Sequence, residues 1–276
     1  MKNITVFFIY TFAIFLVVIN SVAESVPLTE SEQFGAKRLD FSLGENKAFI
    51  IVPTQATLDG SKPWVWYAPT FIGGHPDPTH NWMAKQLLDA GFSICGIEVG
   101  ESYGSPKGTK AYSALYDHLM NTYKLDKKPC LLPQSRGGLM LLNWAGENAQ
   151  RVGCVAGIYT VCNIESYPGV ARASGAYGMT KDELQAELKR YNPIENVKPL
   201  VDAKVPMLFL HGDSDTVVPI EKNAGLLVKR SRALGSDAKL ITVPGRGHEV
   251  CPEFFESQEF IEFLLSQGSS LGKAKK

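Results

Sequence analysis

Residues 4–19 form a continuous apolar run, preceded by a single charge at Lys2 and followed by Ser21-Val22-Ala23, with small residues at the −3 and −1 positions of a cleavage site. That layout predicts a secretory signal peptide over residues 1–23, cut after Ala23. The run is short for a membrane span and no stop-transfer pattern follows it. Further along, short β-rich runs recur at 38–43, 47–53, 64–68, 92–99, 129–133, 153–161, 207–210 and 239–243. Several are apolar almost throughout rather than alternating, the pattern of strands covered on both faces. The first three follow one another without a helix and predict an antiparallel lead-in.

Helical patterns separate the later runs. Segment 81–90 carries Met83 and Leu87 at i,i+4 spacing and stops at Gly91; segment 111–123 follows the breaker Gly104-Ser105-Pro106. Segment 138–146 is mostly apolar and predicts a buried helix. Pro219 opens a helix over 219–234 that stops at Gly235, as proline-in, glycine-out asymmetry favours. Segment 252–265 carries Phe254, Phe255, Ile261 and Leu265, an apolar face able to dock a last helix on the sheet. Alternating strands and helices predict an α/β fold, a mostly parallel sheet with helices on both sides. The rhythm breaks over 162–205, which includes a Pro168-Gly169 turn and a polar helix over 181–191. Such a long stretch predicts a cap inserted after the sixth strand, within a single domain spanning 24–276.

The balance of charge is even, 28 basic against 28 acidic residues. With no basic stripe, nucleic acid is not an expected partner. Five cysteines fit neither a disulfide framework nor a zinc ribbon. Cys95, Cys130 and Cys154 lie in apolar runs and read as small core residues. Cys162 and Cys251 follow segments placed near the active face, which leaves a bridge between them open.

Three segments carry candidate chemistry. In Pro133-Gln134-Ser135-Arg136-Gly137, an apolar strand runs into a serine and then an apolar helix, the context that thrusts a hydroxyl out at the carboxyl edge of a sheet. Small residues are expected two before and two after such a serine; Gly137 fits and Pro133 departs. Taken alone, the serine reads equally as a helix cap. His211-Gly212-Asp213-Ser214-Asp215 follows a late strand, and Gly247-His248 follows the last. The order Ser, Asp, His is the one a triad on this fold requires.

With these motifs on these elements, the chain resembles the α/β-hydrolase superfamily, nearest its dienelactone-hydrolase and prolyl-oligopeptidase-like serine esterase branches, over about residues 47–265. The resemblance implies Ser135 as nucleophile, His248 as general base and Asp215 as the acid, with Asp213 shaping the turn. It implies an oxyanion hole from the backbone of Arg136 and of the loop after the third strand, where Pro69 has no N–H and Phe71 is the preferred donor. Arg136, Glu101 and Tyr103 are candidate substrate contacts on the active face, although a surface or structural ion pair is the favoured reading of Arg136. Trp64 and Trp66 read as core rather than as a sugar platform. His75, Asp77 and His80 lie in a Pro-rich turn and read as loop residues, so neither metal nor cofactor is expected. The expectation is a secreted or periplasmic serine hydrolase that cleaves a small-molecule or carbohydrate ester through an acyl-enzyme and does not stay in the membrane once the signal is removed. A prolyl-oligopeptidase-type peptidase, for which this length leaves no room for a propeller, and an inactive hydrolase-fold binding protein are the alternatives.

Overall fold

The structure is a computed structural model that describes residues 28–69, 73 and 75–273. The signal peptide expected over 1–23 lies outside these residues, as does Phe71. Nine strands form one sheet: β1 (Thr29–Gln33), β2 (Ala36–Leu43), β3 (Asn46–Ile51), β4 (Trp64–Ala68), β5 (Ser93–Ile97), β6 (Cys130–Pro133), β7 (Cys154–Ile158), β8 (Met207–Gly212) and β9 (Lys239–Val243). Their spatial order is β1-β2-β3-β5-β4-β6-β7-β8-β9. From β4 and β5 to β9 all pairs are parallel, and β1, β2 and β3 join antiparallel.

Two expectations are corrected here. Segment 64–68 is not part of the lead-in: β4 lies between β5 and β6, parallel to both, fully buried in the middle of the sheet. Strand β1, with the polar sequence Thr-Glu-Ser-Glu-Gln, carries no apolar signal because it is an exposed edge strand. It is held by backbone pairing to β2 through a tight turn at Phe34 and Gly35 with φ of 58° and 76°, and by polar side-chain bonds of Glu30 to Lys37 and of Gln33 to Arg38 and the Pro76 carbonyl. The long segment after 153–161 therefore follows the seventh strand, not the sixth.

The apolar runs are continuous because helices cover both faces. Trp64 and Trp66 of β4, Leu131 of β6 and Met207 and Phe209 of β8 point into one core. That core is closed by α2 (Pro106–His118), α3 (Gly137–Glu147) and α8 (Ala224–Ala233). The intervening Val65, Tyr67, Leu132, Leu208 and Leu210 face the other core, under α1 (Asn81–Asp89), α9 (Pro252–Phe255) and α10 (Gln258–Lys273). Trp64 and Trp66 stack at 5.3 Å between ring centroids inside the first core. All five cysteines are free and buried. Cys162 belongs to the first core and Cys251 to the second, so the sheet separates them and no bridge forms.

Helix boundaries shift for local reasons. Helix α2 starts at Pro106, five positions before the predicted 111, since proline is well tolerated at the first helical position. The predicted 219–234 helix is broken at Asn223, whose backbone leaves the helical region and whose side chain accepts from the Cys162 N–H. The predicted 252–265 helix is likewise two helices, interrupted at Glu256. Over 162–205 four short helices appear: α4 (Val170–Ala173), α5 (Lys181–Ala186), α6 (Leu188–Tyr191) and α7 (Lys198–Asp202), so the single helix expected over 181–191 is divided at Glu187. Buried Asn192 accepts from the Ile164 N–H and donates to Asn163, supplying partners that a loop would otherwise lack. Tyr177 of this segment donates to the Tyr103 carbonyl and accepts from Asn143 of α3, tying it to the helical layer beside the carboxyl ends of the strands. Among the described residues no helix is long and apolar enough to cross a membrane.

Candidate active site

Ser135 lies in the turn between β6 and α3 with φ of 51°, a left-handed conformation that is strained for a residue with a side chain. Such strain costs roughly 1–3 kcal/mol and persists only where the surroundings enforce it. Here its N–H donates to the Ile158 carbonyl, and its own carbonyl accepts from Gly138 and Val161. The two glycines that follow are required by close approach. A Cβ on Gly137 would sit 1.7 Å from the Ala68 carbonyl oxygen, and one on Gly138 would sit 2.2 Å from that of Val161. Pro133, where a small residue was expected, falls where the β6–β7 ladder is interrupted between Leu131 and Gln134, so its missing N–H leaves no strand partner stranded.

Three chain segments meet at this turn. The Ser135 Oγ lies 2.8 Å from His248 Nε2, and His248 Nδ1 lies 2.8 Å from Asp215 Oδ2. Asp215 is buried in the turn after β8, where its other oxygen accepts from the N–H groups of Val217 and Val218. Burial works against its ionisation, but hydrogen bonds from His211, His248 and Val218 outweigh that and hold the carboxyl far below the usual carboxylate range. Asp213 points elsewhere: its Oδ1 accepts from Ser214 and from the Gly245 N–H, stapling the acid turn to the histidine loop. The Ser214 N–H adds a second staple to the Arg246 carbonyl. Gly212 allows that approach, because a Cβ there would lie 2.1 Å from the Arg246 oxygen.

Among the described residues, the backbone N–H of Arg136, at the start of α3, forms no hydrogen bond. The guanidinium of Arg136 is ion-paired, with Nη1 2.6 Å from Glu101 Oε1, so two of the three candidate substrate contacts come together beside Ser135. Tyr103 stands next to this pair: burial, then the charge of Glu101, raises its phenol pKa, and its side chain also meets Arg172. It is buried in the first core, with φ of 47°.

The structure also brings residues to the site that the motifs do not reveal. Gln134 donates to the Tyr159 hydroxyl and accepts from Tyr67, and the same amide oxygen lies 2.9 Å from His80 Nε2. His80 Nδ1 in turn lies 3.1 Å from Asp77 Oδ1. Tyr159, just past β7, packs its ring 4.6 Å from the His248 ring, and burial pushes its phenol pKa up. Gln134 is flagged in the sequence by adjacency to Ser135, and His80 and Asp77 as loop residues near the site; Tyr67 and Tyr159 depend on contacts between distant segments. His211 is completely buried and approaches Asp215 Oδ2 at 3.2 Å.

A hydroxyl, an imidazole and a buried carboxylate in hydrogen-bonded sequence can move a proton off the hydroxyl and hold the resulting imidazolium. This geometry accords with the relatives found. In solved structures the chain is similar to an S-formylglutathione hydrolase from Agrobacterium tumefaciens, with TM-score 0.64 and 17% identity over 88% of this chain and 98% of that one. It is similar to a truncated carbohydrate esterase from gut microbiota, with TM-score 0.61 and 17% identity over 84% and 93% of the two chains. It is also similar to Porphyromonas gingivalis dipeptidyl peptidase 4, with TM-score 0.65 and 13% identity over 87% of this chain and 35% of that one. At these identities the likeness shows the α/β-hydrolase fold. No curated protein matches the sequence. The model of the prolyl oligopeptidase family matches residues 111–265, more than half of the chain and a span that holds Ser135, Asp215 and His248. The chain thus belongs to the prolyl oligopeptidase family, a serine-hydrolase branch of the α/β-hydrolases.

Proposed function

We propose that the protein is a carboxylic-ester hydrolase working through an acyl-enzyme on Ser135. The observation that carries this reading is the continuous hydrogen-bonded line from Ser135 Oγ through His248 to buried Asp215, 2.8 Å at each step. His248 takes the hydroxyl proton as Oγ attacks the ester carbonyl, and Asp215 holds the imidazole in the tautomer with Nδ1 protonated. The N–H of Arg136 meets the charge that develops on the carbonyl oxygen; a second N–H comes from the loop after β4, with Phe71 the preferred donor. His248 then returns the proton to the departing alcohol. Water, deprotonated by the same imidazole, releases the acid and restores Ser135.

Ester cleavage is preferred over peptide cleavage because the chain aligns with esterase structures over nearly their whole length, and with a third of a dipeptidyl peptidase. The substrate proposed is a small acyl ester, with an acylated carbohydrate as the favoured class. The apolar run at 4–19 supports export, and so action outside the cytoplasm. The segment over 162–205 is proposed as a cap, since Tyr167 within it reaches toward the Arg136 guanidinium beside the nucleophile. Parallel assays on p-nitrophenyl esters, on acetylated, methyl-esterified and feruloylated sugars, and on aminoacyl amides test the reading. Ester turnover above amide turnover is expected. Amide cleavage without ester cleavage overturns it in favour of a peptidase.

A further inference from the structure

We infer that His211, which enters no step of the proposed mechanism, is a positioning residue that shares Asp215 with His248 and thereby fixes the carboxylate that holds the catalytic imidazole; the inference rests on the ester-hydrolase reading above.

The position of the His211 proton follows from the ring's neighbours. Its Nε2 lies 2.8 Å from the Val218 carbonyl oxygen and 3.2 Å from Asp215 Oδ2. Both neighbours only accept, so Nε2 carries the hydrogen and forks it between them. Its Nδ1 is buried and has no partner among the described residues, so a second proton there would find no acceptor. The ring is fully enclosed in the last position but one of β8, which leaves no room for it to turn over.

The consequence falls on one oxygen. Asp215 Oδ2 accepts from His248 at 2.8 Å and faces the His211 Nε2–H at 3.2 Å, the weaker branch of that fork, while Oδ1 is occupied by two backbone N–H groups. All the strong acceptor directions of the carboxylate are then engaged, and its plane is fixed facing His248. Loss of the second N–H would leave more charge on the oxygen that faces the His248 imidazolium. Other titratable groups facing the pair are Tyr159 from the end of β7, Asp213 on the acid turn, Cys251, and Arg246 with its partners Glu249 and Glu253. Among the described residues none of them hydrogen-bonds or ion-pairs with His211, whose partners are Val218 and Asp215.

The test compares His211→Leu, which removes the donor, with His211→Gln, whose amide N–H₂ replaces it. Activity is measured against pH on a p-nitrophenyl ester. His211→Leu is expected to lower kcat about tenfold, as loss of one hydrogen bond to a charged group does. It should also shift the acidic limb of the profile upward by roughly half a pH unit. His211→Gln should recover most of both. In proton NMR the His248 Nδ1–H signal should move downfield in His211→Leu as its bond to Asp215 tightens. Loss of activity in both variants with the limb and the signal unmoved would mean that His211 only fills space. Unchanged kinetics in His211→Leu would remove the role altogether. If neither variant folds, nitrogen-15 spectra of the wild type decide, because a His211 ring protonated on Nδ1 contradicts the inference. Retained turnover in Ser135→Ala would instead overturn the ester-hydrolase reading, a separate failure.

Discussion

Ser135→Ala is expected to lower kcat on acyl esters by about four to six orders of magnitude while leaving the thermal midpoint almost unchanged. The two halves of this expectation follow from one geometry. Among the described residues the Oγ makes a single hydrogen bond, to His248, so its removal takes away the attacking atom and little else. The backbone strain at φ of 51° is common to serine and alanine, and the bonds that enforce it run through main-chain groups of Ile158, Gly138 and Val161. His248, Asp215 and the Arg136 N–H stay in place, which leaves the residual rate that binding and an oxyanion site give without a nucleophile. Steady-state kinetics and a melting curve on the same preparation check it. Wild-type turnover in a folded Ser135→Ala protein would remove Ser135 from the mechanism.

Gly137→Ala should have the second-largest effect, by displacement rather than chemistry. The added methyl would lie 1.7 Å from the Ala68 oxygen and 2.6 Å from its carbonyl carbon, both backbone atoms of the central strand β4. No rotamer relieves that contact, so α3 must move away from the sheet. Overpacking of this kind costs about 3 kcal/mol at the upper end of the usual range. A shift of about 1 Å at the nucleophile would by itself cost about a hundredfold in rate. Gly146→Ala, later in α3, is the control. There the nearest atom is the Asn196 side-chain nitrogen at 3.2 Å, which can swing aside, and alanine favours a helix interior by up to about 1 kcal/mol. Denaturation midpoints and kcat for the two variants should diverge; equal behaviour would mean that the close packing of α3 on β4 is not what holds Ser135 in place.

Much of this was legible in the sequence because the signals are local. A strand reads as an apolar run, and β4, β6, β7 and β8 were found where their residues alternate between two cores. The nucleophile turn was legible for the same reason: strand, serine, glycine pair and helix are contiguous. What stayed hidden depends on contacts across the chain. Strand β1 has no apolar face to announce it and exists through pairing with β2. The position of β4 inside the parallel sheet is a matter of topology, on which periodicity is silent. Tyr159 reaches the site from a separate segment, and nothing in its own neighbourhood marks it; His80 and His211 lie in segments that the sequence singles out, but their partners, Gln134 and Asp215, are set by folding. The disulfide left open between Cys162 and Cys251 fails for a simple geometric reason: the residues lie on opposite faces of the sheet.

The central claim is that Ser135 is an activated nucleophile, and a fluorophosphonate tests it without any knowledge of the substrate. One equivalent of the wild-type protein should gain one phosphonyl group, and peptide mapping should place it on Ser135, with labelling much slower in His248→Ala. A folded protein that takes no label, or one labelled at another serine, contradicts the account.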